Sequence, residues 1–546
     1  MEKIQTIDAI MFREMVNAGA KLLEENKDAV NALNVFPVPD GDTGTNMSMT
    51  MVSAVKEINS KEFSTIGQAT QALSKGALRG ARGNSGVILS QLYRGFSKAI
   101  QDKEEITPID FANALKNSAD TAYKAVMKPK EGTILTVARV IAEDAQAQVA
   151  KQPDDFLALF DVILDCGEKI LAKTQEMLPA LKQAGVVDAG GRGLLIIYAG
   201  YAAVLRGDII DSSLVDMSKD VITESEFEED YERIEDIEFA YSTKFDIQNM
   251  RADVSDIDIA ALRRRINRIG NRANVEGDFT GVKVSVNTND PGKALQYGCE
   301  LGEINNVSIT NLLIQFREAH GTEPDTPLKK YGIVSVSMGE GFSAIFKDLN
   351  VDSIVEGGQT MNPSIDDLSK AIEKIHAENI FILPNNSNIT LAAKQAAEIS
   401  DKNVIVLRTK NVAMGIAAVI AFQPDAEVEE NTLSMTEAAE RVRTGTITYA
   451  VRDSEYENMH ITEGSTIGLN NGEVTVCTDN SRDAAMQLME QIVTDDDSLI
   501  TVYYGEGVDE EEAQALGREI ADKYDGCDVE VHNGGQPLYY YLLSVE

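Results

Sequence analysis

Apolar residues recur at helical spacing from Ile7 to Leu205. In one example, Ile88, Leu92 and Phe96 fall on one face of a helix that has 3.6 residues per turn. No part of this stretch alternates apolar and polar residues as a half-buried strand does. The pattern predicts an all-α domain over residues 1–205.

The next segment is acidic and has few apolar anchors. DSSLVDMSKDVITESEFEEDYERIEDIE covers residues 211–238, and such composition is typical of a linker, which we place at residues 206–236. FAYSTKFDI and GVKVSVNTND then alternate as strands do, and the basic segment Ala260 to Arg272 between them has a helical pattern. These elements predict a small α+β domain over residues 237–320.

The remaining chain repeats an apolar run, a polar loop and a helix. GIVSVSM, NIFILP and NVIVLRT are such runs, and their alternation with helices favours a parallel or mixed sheet with crossover helices. TITYAV, LITVYY and PLYYYLLSV read as further strands, and Asn470-Asn471-Gly472 is typical of a hairpin turn. Residues 321–546 are therefore predicted to form an α/β domain, which makes the protein multidomain.

Composition and charge exclude several classes of function. The 546 residues carry a net charge of −38, which repels nucleic acid and anionic membranes. The N-terminus lacks a basic start followed by an apolar run, so no signal peptide is expected. The longest apolar stretch, Met414 to Phe422, is far shorter than the ~20 residues that span a bilayer. We expect a cytoplasmic protein that has neither nucleic-acid partners nor stable membrane insertion.

The segment NVFPVPDGDTGTNM, residues 34–47, is rich in oxygen ligands. Side chains at positions i and i+2 point apart on a helix, so Asp40 and Asp42 converge only in an irregular loop, which the prolines and glycines favour. Carboxylates with phosphate oxygens and water suit Mg²⁺. Thr43 or Thr45 is placed to cap the following helix, whose N–H groups would face phosphates. The alternative is an Asx-rich turn that only begins a helix.

Two more glycine-rich segments precede apolar helices. KGALRGARGNSGVILSQL, residues 75–92, places Asn84 and Ser85 at a helix start, and VVDAGGRGLL, residues 186–195, places Asp188 with Gly190 and Gly191 at another. Helix N-termini bind anions, and glycine lets backbone approach a ligand closely. The motif GxxxxGK[ST] of the classical phosphate loop is absent, and so are the protein-kinase motifs.

PDGDTGTNM, GARGNSG and DAGGRG, in this order and spacing, resemble the nucleotide-binding domain of dihydroxyacetone kinases. That resemblance implies an antiparallel helical barrel whose aspartates hold a pair of Mg²⁺ ions. EGGQTMNPS and GGQPLYYYLLSVE extend the resemblance over the full chain to the catalytic subunit of bacterial fatty acid kinases. The C-terminal domain is similar to the DegV fold.

The resemblance implies an ATP-dependent kinase that makes an acyl phosphate from a fatty acid, which a separate DegV-like protein presents. Asp40 and Asp42 would be the catalytic metal ligands. The remaining site residues would contact the metal, the phosphates or the nucleoside: Asn34, Thr43, Asn46, Asn84, Ser85, Thr133, Asp188, Gly190 and Gly191. Helix capping or loop hydrogen bonding is the alternative for Asn34 and Thr133. ATP and two Mg²⁺ are the expected cofactors, and a homodimer stays open.

The middle domain departs from the pattern of many relatives, which have one cysteine and two histidines placed as a zinc site. This chain has Ser242, Ser285 and Asn287 at those positions, and hydroxyl and amide groups are poor zinc ligands. We therefore expect no zinc. The valines Val282, Val284 and Val286 keep one apolar face, so the strand is expected to form without a metal.

Three other functions remain open from the sequence. The N-terminal motifs alone equally permit a dihydroxyacetone-type kinase that acts on a small molecule. A regulatory scaffold with a vestigial nucleotide site is a non-catalytic alternative, against which the intact Asp40, Asp42 and Asp188 argue. The third is that the C-terminal domain itself binds lipid, although fold likeness does not establish such a pocket.

Overall fold

The computed structural model describes residues 3–34, 41–208, 236–251, 254–278, 281–320, 328–358, 361–456 and 459–546. The chain divides into two compact units, Met1–Asp220 with Leu328–Glu546, and Val221–Pro327. The N-terminal helices and the C-terminal α/β region thus pack together as one unit. Most of the predicted acidic linker, residues 209–235, lies outside the described residues.

The N-terminal region is helical, as predicted. Its helices are α1 Ala9–Glu25, α2 Lys27–Asn31, α3 Thr43–Ile58, α4 Ile66–Gly80, α5 Gly83–Ile100, α6 Pro108–Ala125, α7 Ile134–Val149, α8 Phe156–Met177, α9 Pro179–Ala184 and α10 Ala189–Arg206. The backbone bridge between Ile7 and Ile106 is an isolated pair and forms no strand.

The long helices of this region close into a ring. Each of α1, α3, α4, α5, α6, α7, α8 and α10 packs on the next in that order, and α10 returns to α1. The space inside the ring of helices is filled by a hydrophobic core that includes Phe12, Phe96, Phe111, Phe156 and Phe160. The centroids of neighbouring phenyl groups in this set lie 5.1–5.9 Å apart. The apolar stripe of every helix therefore faces one shared core.

The second unit is a small α+β domain. Its elements are β1 Tyr241–Gln248, α11 Asp256–Ile269, β2 Gly270–Asp278, β3 Gly281–Thr288, α12 Pro291–Cys299, β4 Glu303–Asn311 and α13 Leu312–His320, and the sheet order is β2-β3-β1-β4. The prediction of a helix through Arg272 is wrong at its end, because Gly270 already pairs with Thr288 of β3. Val282, Val284 and Val286 are buried as predicted.

The C-terminal region begins with a parallel four-stranded sheet in the order β6-β5-β7-β8. Its elements are β5 Lys329–Ser337, α14 Glu340–Asp348, β6 Ser353–Glu356, α15 Ile365–Lys374, β7 Ala377–Leu383, α16 Thr390–Ile399, β8 Asn403–Val406 and α17 Val412–Ile420. The strands and their crossover helices lie where the apolar runs predicted them. Parallel strands need such crossovers, which place helices on the sheet.

A second, mixed sheet completes this region, in the order β13-β12-β9-β16-β14-β15. The remaining elements are α18 Val428–Arg441, β9 Arg443–Tyr449, β10 Ser454–Tyr456, β11 Met459–Ile461, β12 Thr466–Asn470, β13 Glu473–Thr478, α19 Ser481–Ile492, β14 Leu499–Tyr504, α20 Glu510–Lys523, β15 Asp528–Asn533 and β16 Tyr539–Val545. Asn471 and Gly472 have φ of 48° and 92°, which confirms the predicted hairpin turn, since primed turns require positive φ.

Candidate functional site

Four helices of the ring begin at one cavity of about 410 Å³. The first residues of α3, α5, α7 and α10 line it, and helix N-termini expose N–H groups and a partial positive charge that attract anions. Nine predicted site residues lie in its wall: Asn34, Asp42, Thr43, Asn46, Asn84, Ser85, Thr133, Asp188 and Gly190. Predicted site residues up to 156 positions apart in sequence, from Asn34 to Gly190, thus meet at one surface that suits anion binding.

Two predicted residues are not in this wall. Asp40 lies outside the described residues. Gly191 is in α10, where its N–H donates to Asp188 Oδ2 at 2.7 Å. A side chain at Gly191 would come within 2.8 Å of Val137, so this glycine lets α10 pack on α7.

The start of α3 is held by a residue that the sequence did not single out. Asn31 Oδ1 accepts from the N–H groups of Gly44 at 2.8 Å and Thr45 at 3.2 Å. The prediction that Thr43 or Thr45 caps this helix is therefore wrong, because Asn31 of α2 already takes those donors. Thr43 Oγ1 instead donates to Asn34 Oδ1 at 3.0 Å, which ties two predicted site residues together.

The start of α5 requires a glycine. Gly83 has φ of +56°, a region that residues with a side chain rarely adopt, and an added Cβ would lie 2.5 Å from the amide nitrogen of Asn46. This close approach brings the first turn of α5, with Asn84 and Ser85, against the first turn of α3. The GARGNSG segment therefore forms the helix start that the sequence predicted.

Asp188 is the N-cap of α10. Burial raises the pKa of its carboxyl group to about 6, while hydrogen bonds from the backbone of Gly191 and Ile134 act in the opposite direction. Thr133 occupies the N-cap position of α7, but its hydroxyl donates to the carbonyl of Lys130 at 2.9 Å. That is the loop hydrogen bond considered as the alternative for this residue.

The C-terminal region contributes residues to the same site. Asn362 Nδ2 donates to Asp42 Oδ2 at 2.5 Å, and Asn84 Nδ2 donates to Asn388 Oδ1 at 3.1 Å. Asn388 also lines the cavity. The sequence offered EGGQTMNPS, which contains Asn362, only as a mark of resemblance, and it offered no signal for Asn388.

A larger trough of about 1530 Å³ adjoins this cavity and shares Asn84, Ile88 and Thr133 with it. Among the described residues one carboxylate, Glu398, lines the trough, and its basic residues are Lys75, Arg94, Lys98, Lys124, Lys128, Lys130 and Lys394. In a chain of net charge −38, this concentration of positive charge creates a local field that attracts anions. The acidic composition therefore does not describe the surface beside the site.

The side chains of the cavity fit a hard cation that arrives with a nucleotide. Asp42 supplies a carboxylate, and Asn46, Asn84, Thr43 and Ser85 supply amide and hydroxyl oxygens. Within the described ranges no three His, Cys, Asp or Glu side chains cluster as a metal site. Mg²⁺ needs only one or two carboxylates when phosphates and water complete its shell, so this donor set suits Mg²⁺–ATP.

The C-terminal region has a small cavity of its own at the carboxyl ends of β5 and β7. Its volume is about 80 Å³, and Ser337, Asn385 and Gln536 are in its wall. Small-molecule pockets are usually ~300–1,000 Å³. The described side chains therefore leave little room there for an acyl chain.

Three domain types, two of them from one family, match successive parts of the chain. The DAK2 domain matches residues 37–203. The middle domain of the FakA-like fatty acid kinase family matches residues 238–319, and the C-terminal domain of the same family matches residues 332–546. Among the described helices, none combines the length and apolar character that crossing a bilayer requires.

Solved structures similar to part of the chain include a DegV family protein from Thermus thermophilus described for fatty acid binding, with a TM-score of 0.30, 12% identity and coverage of 39% of this chain and 99% of that one. Another is the Streptococcus pneumoniae Fatty Acid Kinase (Fak) B3 protein loaded with linoleic acid, with a TM-score of 0.29, 12% identity and coverage of 40% and 99%.

Relatives match this chain in sequence along its whole length. Protein YloV of Bacillus subtilis is 42% identical over 553 residues, with 100% of both chains covered. The uncharacterized protein SAR1202 of Staphylococcus aureus is 38% identical over 554 residues, again with 100% of both chains covered. These relatives, together with the domain matches that follow one another along the sequence, show that the chain belongs to the FakA-like family of fatty acid kinases.

Proposed function

We propose that this protein transfers the γ-phosphoryl group of ATP to the carboxylate of a fatty acid, which a separate fatty-acid-binding protein of the DegV type presents. The observation that carries the proposal is the convergence of four helix N-termini with Asp42, Asn84 and Ser85 on one cavity. Membership of the FakA-like family supplies the acceptor class.

Transfer of a phosphoryl group needs alignment of the reactants and neutralisation of their charge more than covalent help from the protein. The first turns of α3 and α5 would bind the phosphates through N–H groups and the side chains of Asn84 and Ser85. Asp40 and Asp42 would hold Mg²⁺, which as a Lewis acid offsets the charge on the transferred group. The basic trough would draw the polyanionic nucleotide toward the cavity.

The acceptor needs no general base. A fatty acid carboxylate is already ionised at pH 7, so one of its oxygens can attack the γ-phosphorus directly. The bond between that phosphorus and the oxygen bridging to the β-phosphate breaks, and the electron pair leaves with ADP. The described residues of the cavity wall include no histidine, and this reaction requires none.

The small cavity of the C-terminal region supports a separate carrier for the acid. A space of about 80 Å³ is below the usual range of ~300–1,000 Å³ for ligand pockets. The acyl chain is then held by the partner, and its carboxylate is brought to the kinase site. This favours a carrier-dependent kinase over a protein that binds its own lipid.

The test is an assay of acyl phosphate formation by the purified full-length chain with Mg²⁺–ATP. We expect product when oleic acid is bound to a fatty-acid-binding partner, and little product with free acid or with dihydroxyacetone. Equal turnover of dihydroxyacetone would favour the small-molecule kinase instead. No ATP consumption under any condition would support the non-catalytic scaffold.

A further inference from the structure

The C-terminal region contacts the described residues on both sides of positions 35–40, the predicted aspartate loop. Before the loop, the Arg452 guanidinium donates to the backbone carbonyls of Ala32, at 3.1 Å, and of Asn34. After it, Asn362 Nδ2 donates to Asp42 Oδ2 at 2.5 Å. These partners lie 320 or more positions away in sequence, so packing between the two regions fixes the described residues that flank the loop.

The side chain of Asn362 is buried between residues of the site. Its exposed fraction is 1%, and its amide nitrogen also lies 3.4 Å from Asn46 Oδ1. The two acceptors orient the carboxamide, because only the nitrogen can donate to a carboxylate. The oxygen Oδ1 is buried and has no hydrogen-bond partner among the described residues. A buried polar atom without a hydrogen bond destabilises the folded state, and a functional role is one reason why a native protein retains such an atom.

The loop that carries Asn362 is fixed to the start of α5. Arg82, the residue before Gly83, donates to the carbonyl of Asn362 at 2.7 Å and pairs with Asp367 at 3.4 Å. The backbone N–H of Ile365 donates to the carbonyl of Ala81 at 3.2 Å. The sequence segments GARGNSG and MNPS thus form one structure, in which the phosphate-facing turn and the C-terminal loop support each other.

The same junction is part of the hydrophobic core. Ala81 and Val87 of the helical region are fully buried and belong to one cluster with Val334 and Ile365 of the C-terminal region. Removal of the C-terminal region would expose these side chains and release Asn362 from Asp42. The position of the Asp42 side chain and the packing of the C-terminal region on the helical region are therefore physically linked.

We propose that Asn362 is a positioning residue of the kinase site, which orients the carboxylate of Asp42 for the metal. The inference rests on the proposed function, since it assigns Asn362 to the metal of that site. The bond to Asn362 engages Oδ2 of Asp42, and a carboxylate offers about four lone-pair positions in all. Because linkage is reciprocal, Mg²⁺–nucleotide binding stabilises the packing of the C-terminal region on the helical region. That packing in turn strengthens Mg²⁺–nucleotide binding.

The test compares two alanine variants of the full-length chain by calorimetric titration with ADP. Asn362→Ala removes the bond to Asp42. Gln395→Ala is the matched control, because Gln395 is 5% exposed and accepts from Gln91 Nε2 at 2.9 Å across the same junction. With saturating Mg²⁺ we expect Asn362→Ala to bind ADP about 10–100-fold more weakly than the parent, as for other groups that orient metal ligands.

Two further readouts separate positioning from damage to the fold. In EDTA the parent and Asn362→Ala should bind ADP equally, because no metal needs Asp42 there, whereas a disrupted site binds less in both conditions. The rise in melting temperature on adding Mg²⁺–ADP should also be smaller in Asn362→Ala than in Gln395→Ala. If Asn362→Ala does not fold, Asn362→Ser gives the same comparison, since its hydroxyl is too short to keep the bond.

The outcomes distinguish the two proposals. A parent protein that binds no Mg²⁺–ADP contradicts the proposed function itself. A parent that binds, together with an Asn362→Ala variant that matches Gln395→Ala in Mg²⁺ dependence, overturns only the role of Asn362. Selective loss of the Mg²⁺-dependent part of binding in Asn362→Ala supports it.

Discussion

The carboxylate of Asp188 accepts a hydrogen bond from the N–H of Gly191 at 2.7 Å, and this contact caps α10 at the wall of the site. Burial outweighs that contact and raises the pKa of Asp188 from 3.8 to about 6. The same carboxyl group therefore serves as a helix cap and as a titrating group near neutral pH.

Substitution of Asp188 by Asn should change how stability depends on pH. A raised carboxyl pKa means that the folded state binds the proton more tightly than the unfolded state, so the group's stabilising contribution is lost as pH rises through about 6. Asn keeps the cap but cannot titrate. From pH 5 to 7 the melting temperature of the parent should fall relative to that of Asp188→Asn. At higher pH the difference between the two melting temperatures should stay constant. A constant difference across this range would contradict the raised pKa.

Loss of either aspartate of the loop should abolish phosphoryl transfer. In the proposed site Asp40 and Asp42 hold the metal that carries transition-state charge, and loss of one such ligand costs several kcal/mol, about a thousandfold or more in rate. The measurement is acyl phosphate formation by Asp40→Ala and Asp42→Ala. Asp28→Ala is the control, because that carboxylate is exposed on the preceding helix. Parental rates in either loop variant, with the fold intact, would refute the metal site.

Reversal of charge in the trough should weaken ATP binding without a large effect on turnover. Lys124 and Lys128 are exposed there, and they would act on the nucleotide through the local field, which salt screens. We expect the double variant Lys124→Glu, Lys128→Glu to raise KM for ATP severalfold. Each exposed charge should change the free energy of ATP binding by about 1 kcal/mol or less. The effect should shrink at ~0.5 M salt, where the screening length is well below 10 Å. Lys151→Glu, exposed elsewhere on the helical region, should leave KM unchanged.

The middle domain should fold without zinc. Ser242 lies directly opposite Asn287 in the β1–β3 pair, and Ser285 lies opposite Lys244. Hydroxyl and amide groups are poor zinc ligands, and the buried valines of β3 give the strand a packed face. Metal analysis of the purified protein after mild chelation should find no stoichiometric zinc. Retained zinc near Ser242, Ser285 and Asn287 would overturn this expectation.

Local sequence patterns were sufficient for much of the fold. The helical spacing of residues such as Ile88 and Leu92 predicted the N-terminal helices, and apolar runs predicted the strands of the parallel sheet, because periodicity along the chain decides which face is buried. The boundary of α11 was missed, because the pairing of Gly270 with Thr288 is a contact between strands and leaves no local signal.

By itself the sequence determined the helix starts and the residue types that could bind a metal and phosphates. Glycine, carboxylate and hydroxyl groups next to apolar helices are local features, and nine of the eleven predicted site residues line one cavity. Only the tertiary structure decided which side chains surround them. Asn31 caps α3, while Asn362, Asn388 and Arg452 contact the site from 280 or more positions away. Such contacts depend on how the helical and C-terminal regions pack together around Ala81 and Ile365, which share one hydrophobic cluster. The periodicity of a single sequence does not predict packing between distant regions.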